Sequence, residues 1–153
     1  MFTKPSYYER DDVMKAIVAK TEDQIRDARK IREQVFIREQ NVPPEMEWDE
    51  YENSSIHFVL YDEQNTPIGA GRLRKVDGYG KIERICILPE YRGRGAGKTL
   101  MEFVIRHAKT LGFEKIKLHS QDHAIGFYEK LGFMITSDRF YEAGIPHHVM
   151  ELK

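Results

Sequence analysis

The sequence predicts an α/β or α+β domain, a mixed sheet with helices on both faces. Three observations predict it. Strand-like and helix-like segments alternate along the chain, a glycine-rich loop joins one strand to a strongly periodic helix, and no repeat or low-complexity segment interrupts the pattern.

Taken in order, Val13 to Lys20 reads as a short strand. Thr21, with Gln24 three residues later, is a capping-box signal for a helix carrying Ile25, Ala28, Ile31 and Val35 at helical spacing and stopping before Pro43-Pro44. Met46 to Glu52 (M-E-W-D-E-Y-E) is acidic and aromatic, a loop or a short helical turn. His57 to Tyr61 and Ile68 to Val76 are strands separated by the turn-rich Asp62 to Pro67, and Asp77-Gly78 is a hairpin signal. Lys81 to Leu88 alternates and then becomes continuously apolar at Ile85, the pattern of a strand buried on both faces near its end or interrupted by a bulge. The long helix from Gly95 to Leu111 carries Leu100, Met101, Val104, Ala108 and Leu111 on one stripe, with Gly112 as its stop. Lys115 to His119 is the next strand, His123 to Leu131 the next helix, and the remainder reads as two more strands around Ala143 to Pro146.

A chain of 153 residues fits one domain, here 13–153, that buries roughly 70% of its unfolded surface. Residues 1–12 read as a polar leader without the apolar stretch and cleavage site of a secretory signal. No apolar run approaches a membrane span. The net charge of −1, from 24 basic and 25 acidic residues, gives no global field to gather nucleic acid or anionic lipid, so an anionic ligand needs a local site. A single cysteine, Cys86, excludes an internal disulfide and suits a reducing cytoplasm. None of the six histidines is set in a ligand pair with cysteine or carboxylate at zinc-like spacing, so no metal is expected.

The most informative stretch is Arg92-Gly93-Arg94-Gly95-Ala96-Gly97-Lys98-Thr99, between a strand and the periodic helix. A helix start offers unpaired N–H groups and about half a positive charge, and glycines let phosphate oxygens approach the backbone. A nucleotide-hydrolase P-loop needs a glycine where Arg92 stands, and a dinucleotide fingerprint needs one where Lys98 stands. What fits is R-x-x-G-x-G, realised as Arg92, Gly95 and Gly97, and here the chain resembles the GNAT superfamily of acyl-CoA-dependent N-acetyltransferases.

That resemblance implies a mixed, mostly antiparallel central sheet of about six to seven strands, with coenzyme A pyrophosphate held by Arg92 to Lys98. Ala124 to Phe133 (A-I-G-F-Y-E-K-L-G-F) resembles the second signature of the superfamily, which makes Tyr128 the candidate general acid for the departing thiolate. Alone, Phe127-Tyr128 would be ordinary core aromatics. Gln121 stands where the superfamily commonly has asparagine, keeping an amide donor for the cofactor. The backbone of Ile85, Cys86 and Ile87 is the implied docking edge for the pantetheine arm and acyl carbonyl. Val35 to Pro43 (V-F-I-R-E-Q-N-V-P), the acidic E-W-D-E and the late A-G-I-P-H resemble the ElaA-like branch, and the first two are more weakly similar to acyl-homoserine-lactone synthases.

Direct transfer in a ternary complex is the implied route, since Cys86 is the only cysteine and reads as a small core residue. The amine must lose a proton before attack, and the first candidate base is Glu83, on the docking strand. Its other reading is a surface residue paired with Arg84 or Lys81. His119, at a strand end, is the alternative base or a hydrogen-bonded structural residue. His147, Glu47 and Asp49 are candidates for the acceptor pocket, where the acidic segment would attract a cationic amine if it borders the cleft. Acceptors left open are a small amine, a peptide amino terminus and a protein lysine, and a homodimer is left open too. Two other functions stay in view: a non-catalytic acyl-CoA-binding module and a synthase of the acyl-homoserine-lactone kind.

Overall fold

Strand β2 (Ile56–Tyr61) sets the architecture, because it buries Phe58 and Leu60 on one face and Val59 on the other. Successive strand side chains point to opposite faces, so such a strand needs cover on both sides. A computed structural model describes residues 14–153, and the leader and Val13 lie outside them. Eight strands form one sheet in the order β1-β2-β3-β4-β5-β8-β6, with β7 paired to β8. They are β1 (Lys15–Val18), β2, β3 (Pro67–Val76), β4 (Tyr79–Ile87), β5 (Ile116–Gln121), β6 (Phe133–Ile135), β7 (Phe140–Glu142) and β8 (Ile145–Leu152). Among the described residues β4 and β5 run parallel and every other pair is antiparallel. The expected six to seven strands become eight, since β6 and β7 have three residues each and are too short to declare an alternation.

Helix α1 (Glu22–Arg32) starts at the predicted capping box: the Gln24 N–H donates to Thr21 Oγ1 at 3.1 Å and Gln24 Oε1 accepts from the Thr21 N–H at 3.2 Å. The expected run of α-helix toward Pro43 is not found. Past Arg32 the chain continues as a π-helical segment, Glu33–Glu39, which keeps Val35 in the core and brings Phe36, Glu39 and Gln40 to the cleft described below. Asn41 at φ 59° ends it. Short helix α2 (Pro44–Glu47) follows.

α1 covers Val59, Ala70 and Cys86 on one face of the sheet. On the other, α3 (Ala96–Thr110) presses Leu100, Met101, Val104 and Ala108 against Phe58, Leu60, Leu73 and Ile82. Each large side chain buried this way contributes about 1.5–3 kcal/mol. α4 (Ile125–Lys130) is shorter than predicted because Asp122–Ala124 forms a 3-10 turn.

Two features of β4 open the sheet. Its register with β3 slips between Ala70↔Cys86 and Arg72↔Glu83, a bulge with Arg84 in the left-handed region at φ 60°. Gly71 lies across from it, where an added Cβ would sit 2.7 Å from Ile85 Cδ1. Further, β4 and β5 pair only from Gly80↔Ile116 to Ile82↔Leu118, although each strand runs on. Beyond Ile82 the two strands part, leaving one edge of β4 without a strand partner.

Candidate active site

The parting of β4 and β5 creates a cleft of about 770 Å³, walled also by the π segment, the start of α3, and α4. It brings together Tyr128, Glu83, His119, Ile85, Cys86, Ile87, Arg92, Gly93, Gly95, Ala96, Gly97, Lys98, Gln121, His147 and Glu47. Two candidates do not line it. Arg94 turns away to sit over the Tyr91 ring, 5.7 Å from its centre, and Asp49 is clamped by Arg72 at 2.8 Å.

At one end of the cleft the α3 start is an uncapped donor cluster. Gly95 is the N-cap at φ 82°, no side chain caps the helix, and its first turn holds no acidic residue. A Cβ added at Gly93 or Gly95 would meet nothing within 4 Å, so the space before these backbones is open. These residues fit a diphosphate. Gly97 serves a different end, because a Cβ there would lie 3.1 Å from Phe127 Cζ, and its lack of a side chain lets α3 approach α4. Arg92 is not free: it forms a bidentate pair with Glu39, both bonds 2.7 Å, and donates from Nε to Ile87 O at 2.9 Å. The loop is thus tied to the π segment and to the end of β4.

Gln121, at the tip of β5, exchanges amide hydrogen bonds with Gln40, the C-cap of the π segment, at 2.8 and 3.4 Å. His123 Nε2 also lies 2.6 Å from Gln121 Oε1.

Tyr128 is buried between Phe127 and Phe133, and its hydroxyl makes no hydrogen bond among the described residues. Burial, with Cys86 close by, raises its pKa, so the phenol keeps its proton. The Cys86 thiol is pushed by burial up to about 12 and donates to Ala70 O at 3.9 Å. It is an inert core thiol at neutral pH.

Glu83 has its side chain only 7% exposed, surrounded by Arg72 at 2.8 Å, Arg74 at 2.9 Å and Lys81 at 3.1 Å. Burial alone would raise its pKa, but Arg72, Lys81 and Arg74 outweigh this and hold it at about 2. So weak a base accepts a proton poorly at neutral pH. His119 differs: Nδ1 lies 2.5 Å from Glu142 Oε1, and a carboxylate there accepts, so Nδ1 carries the hydrogen, which in the neutral imidazole leaves the lone pair on Nε2. The bond from His119 in turn lowers the Glu142 pKa. His147, stacked on Phe140, donates from Nδ1 to Ile145 O at 2.7 Å.

Of the carboxylates in the acidic segment only that of Glu47 lines the cleft, and it is paired; Glu50 is exposed away from it. Glu47 and Glu52 pair with the buried Arg32 at 2.9 and 2.8 Å, Asp49 and Glu52 with the buried Arg72, and Arg84 reaches Glu47 and Asp49. His57, whose pKa is lowered by burial, closes this network by bonding Glu52 O. Sequence reading missed Glu142, Glu39, Gln40, Arg32 and Arg72. Only the A-G turn after Glu142 hinted that its hairpin would fold back beside β5. Among the described residues no cluster of three metal-ligating side chains occurs, and no helix is long and apolar enough to cross a membrane.

The profile of the acetyltransferase (GNAT) domain matches residues 13–153. The uncharacterised N-acetyltransferase YjcF of Bacillus subtilis is 48% identical over 135 residues, covering 88% of this chain and 96% of the relative. Escherichia coli ElaA shares the fold at a TM-score of 0.79, with 22% identity over 92% of this chain and 98% of that one. A GNAT acetyltransferase from Elizabethkingia anophelis, solved with acetyl-CoA bound, does so at 0.72, with 19% identity over 93% and 99%. A donor cluster open to a diphosphate, at the mouth of a split sheet, thus occurs in a chain nearly half identical to an N-acetyltransferase. The protein is a member of the GNAT family, an acyl-CoA-dependent acetyltransferase.

Proposed function

We propose that residues 13–153 form one catalytic domain that moves the acetyl group of acetyl-CoA to a primary amine by direct transfer in a ternary complex, with His119 as base and Tyr128 as acid. The observation that carries this is the His119–Glu142 pair, which orients an imidazole whose Nε2 has no partner among the described residues in the same cleft as a protonated phenol. Bound acetyl-CoA supplies a thioester carbon open to attack and a thiolate leaving group. Backbone N–H groups of Gly95 to Lys98 hold the pyrophosphate, and the edge of β4 at Ile85 to Ile87, unpaired toward β5, orients the acyl arm. His119 Nε2 takes the proton of the amine, and Tyr128 donates to the departing sulfur.

Direct transfer is favoured over a covalent relay because Cys86 stays a thiol up to about pH 12. A free buried thiol also suits the reducing cytoplasm as the working compartment. The likeness in fold to ElaA, with the segment Val35 to Pro43, supports placement in that branch. The test is thiol release from acetyl-CoA across a panel of amines. Release that depends on an amine and saturates with it is expected. Tight acetyl-CoA binding with no release for any amine would instead make this a binding module.

A further inference from the structure

Arg84 sits at the β4 bulge with a backbone that non-glycine residues rarely adopt, and strain of this kind persists where the surroundings hold a side chain in a required place. Its Nη2 is fully used, donating to Met46 O at 3.2 Å, Glu47 O at 3.5 Å and Asp49 Oδ2 at 3.1 Å. Nε is buried beside Glu47, 3.2 Å from Oε1, but forms no hydrogen bond. Nη1 has no partner among the described residues and is not buried, and Arg84 lines the cleft. A guanidinium is thus anchored by one nitrogen, with Nη1 unpartnered among the described residues and not fully buried.

Charge supports the same reading. Five basic groups, Arg32, Arg72, Arg74, Lys81 and Arg84, are joined through ion pairs to four carboxylates, Glu47, Asp49, Glu52 and Glu83. The network under the β4 side of the cleft therefore carries one surplus positive charge, and Arg84 lines the cleft as part of it. Glu142, also lining the cleft, is a carboxylate held ionised by His119, with His147 and Lys81 adding to the effect. The cleft thus holds the Arg84 guanidinium and, apart from it, the Glu142 carboxylate beside His119.

We propose that Arg84 is a specificity-determining residue that binds an anionic group, a carboxylate or phosphate, on the acceptor, while the amine of the same molecule faces His119 and Glu142. The acceptor class is then an amine bearing an acid, not a polyamine. This rests on the transferase reading above. The amine nitrogen bonds the acyl carbon, the carbon–sulfur bond breaks with its electron pair going to sulfur, which leaves as the CoA thiol on a proton from Tyr128, and the proton of the nitrogen goes to His119.

The test measures equilibrium binding by calorimetry to the CoA-loaded protein, so that it does not depend on turnover. Probes are ω-amino carboxylates of two to six carbons, an aminoalkyl phosphate, alkylamines of the same lengths, and diamines. The expected result is a preference of about tenfold or more for an acid-bearing amine, because a charge-assisted guanidinium contact is among the stronger hydrogen bonds. Arg84→Gln should bring that ratio toward one. Arg84→Lys should keep part of it, since the charge survives and the planar fork is lost. CoA affinity and circular dichroism verify that each variant is folded. Equal binding of the acid-bearing and plain amines to the wild type, tighter binding of diamines, or a preference that persists in both variants would overturn the proposal. Thiol release, measured in parallel, separates the two readings: turnover of diamines alone sinks the role of Arg84 and leaves the transferase, whereas acid-selective binding without any turnover leaves Arg84 and sinks the transferase.

Discussion

At the scale of single residues, the site divides groups that hold a proton from groups that can take one. Tyr128 is buried and keeps its proton, so Tyr128→Phe removes the acid without emptying the core. Turnover should fall by about 100-fold or more while CoA affinity measured by calorimetry stays nearly unchanged. Full activity would return Tyr128 to packing alone. For the base, geometry reverses the order that strand position suggested. Glu83 is ionised down to about pH 2 and carries no titration near neutrality, whereas His119 is oriented by Glu142 with its Nε2 unpartnered among the described residues. A pH–rate profile of His119→Ala should lose the acidic limb of the wild type. Glu83→Gln should keep that limb and instead lower the unfolding midpoint, since it leaves Arg72, Arg74 and Lys81 short of a carboxylate. An acidic limb lost in the glutamine variant and kept in the alanine variant would restore Glu83 as the base.

At the scale of elements, the start of α3 does two jobs with similar residues. Gly95 supplies a left-handed N-cap with open space before it, while Gly97 lets α3 meet α4 at Phe127. Gly95→Ala imposes backbone strain of about 1–2 kcal/mol and adds little else. Gly95→Glu adds the same strain and a negative charge at the positive end of the helix. Both variants should lose similar stability in a thermal scan, and only the glutamate should weaken CoA binding, by about tenfold or more. Equal CoA affinities in the two would place the pyrophosphate elsewhere. The π segment is the second element of consequence. It reaches Arg92 through Glu39 and Gln121 through Gln40, and so spans the two arms of the split sheet.

At the scale of the whole molecule, the buried ion pairs join α1 and the acidic segment to β3 and β4. Arg32 is buried and holds Glu47 and Glu52, so Arg32→Leu leaves two buried carboxylates without their main partner. The expected loss is roughly 3–5 kcal/mol, read as a lower urea midpoint. The network also sets the response to acid. The Glu83 pKa is depressed from 4.5 to about 2, and those of Asp49 and Glu52 are lowered too, despite the opposing effect of burial. Their contribution is present above the unfolded value and is lost as pH falls from about 4.5 toward 2. Stability in urea should therefore decline across that window, and less so in Glu83→Gln. A flat dependence there would show that the pairs add no net stability.

The sequence by itself determined what depends on neighbours along the chain. The Thr21 to Gln24 capping box, the Asp77-Gly78 turn, the apolar stripe of α3 from Leu100 to Ala108 and the glycine loop before it are all local patterns found where they were expected, whereas Leu111, expected on that stripe, caps the helix and is 50% exposed. Tertiary structure decided what depends on partners far apart. Glu142 meets His119 across 23 residues, Arg92 meets Glu39 across 53, and Gln121 meets Gln40 across 81. The same holds for the acidic segment, which composition leaves open between bait and surface and which packing turns into buried ion pairs. The physical reason is that periodicity and capping are settled by bonds three or four residues apart. The protonation, burial and freedom of a charged side chain are instead settled by whichever group the folded sheet places against it.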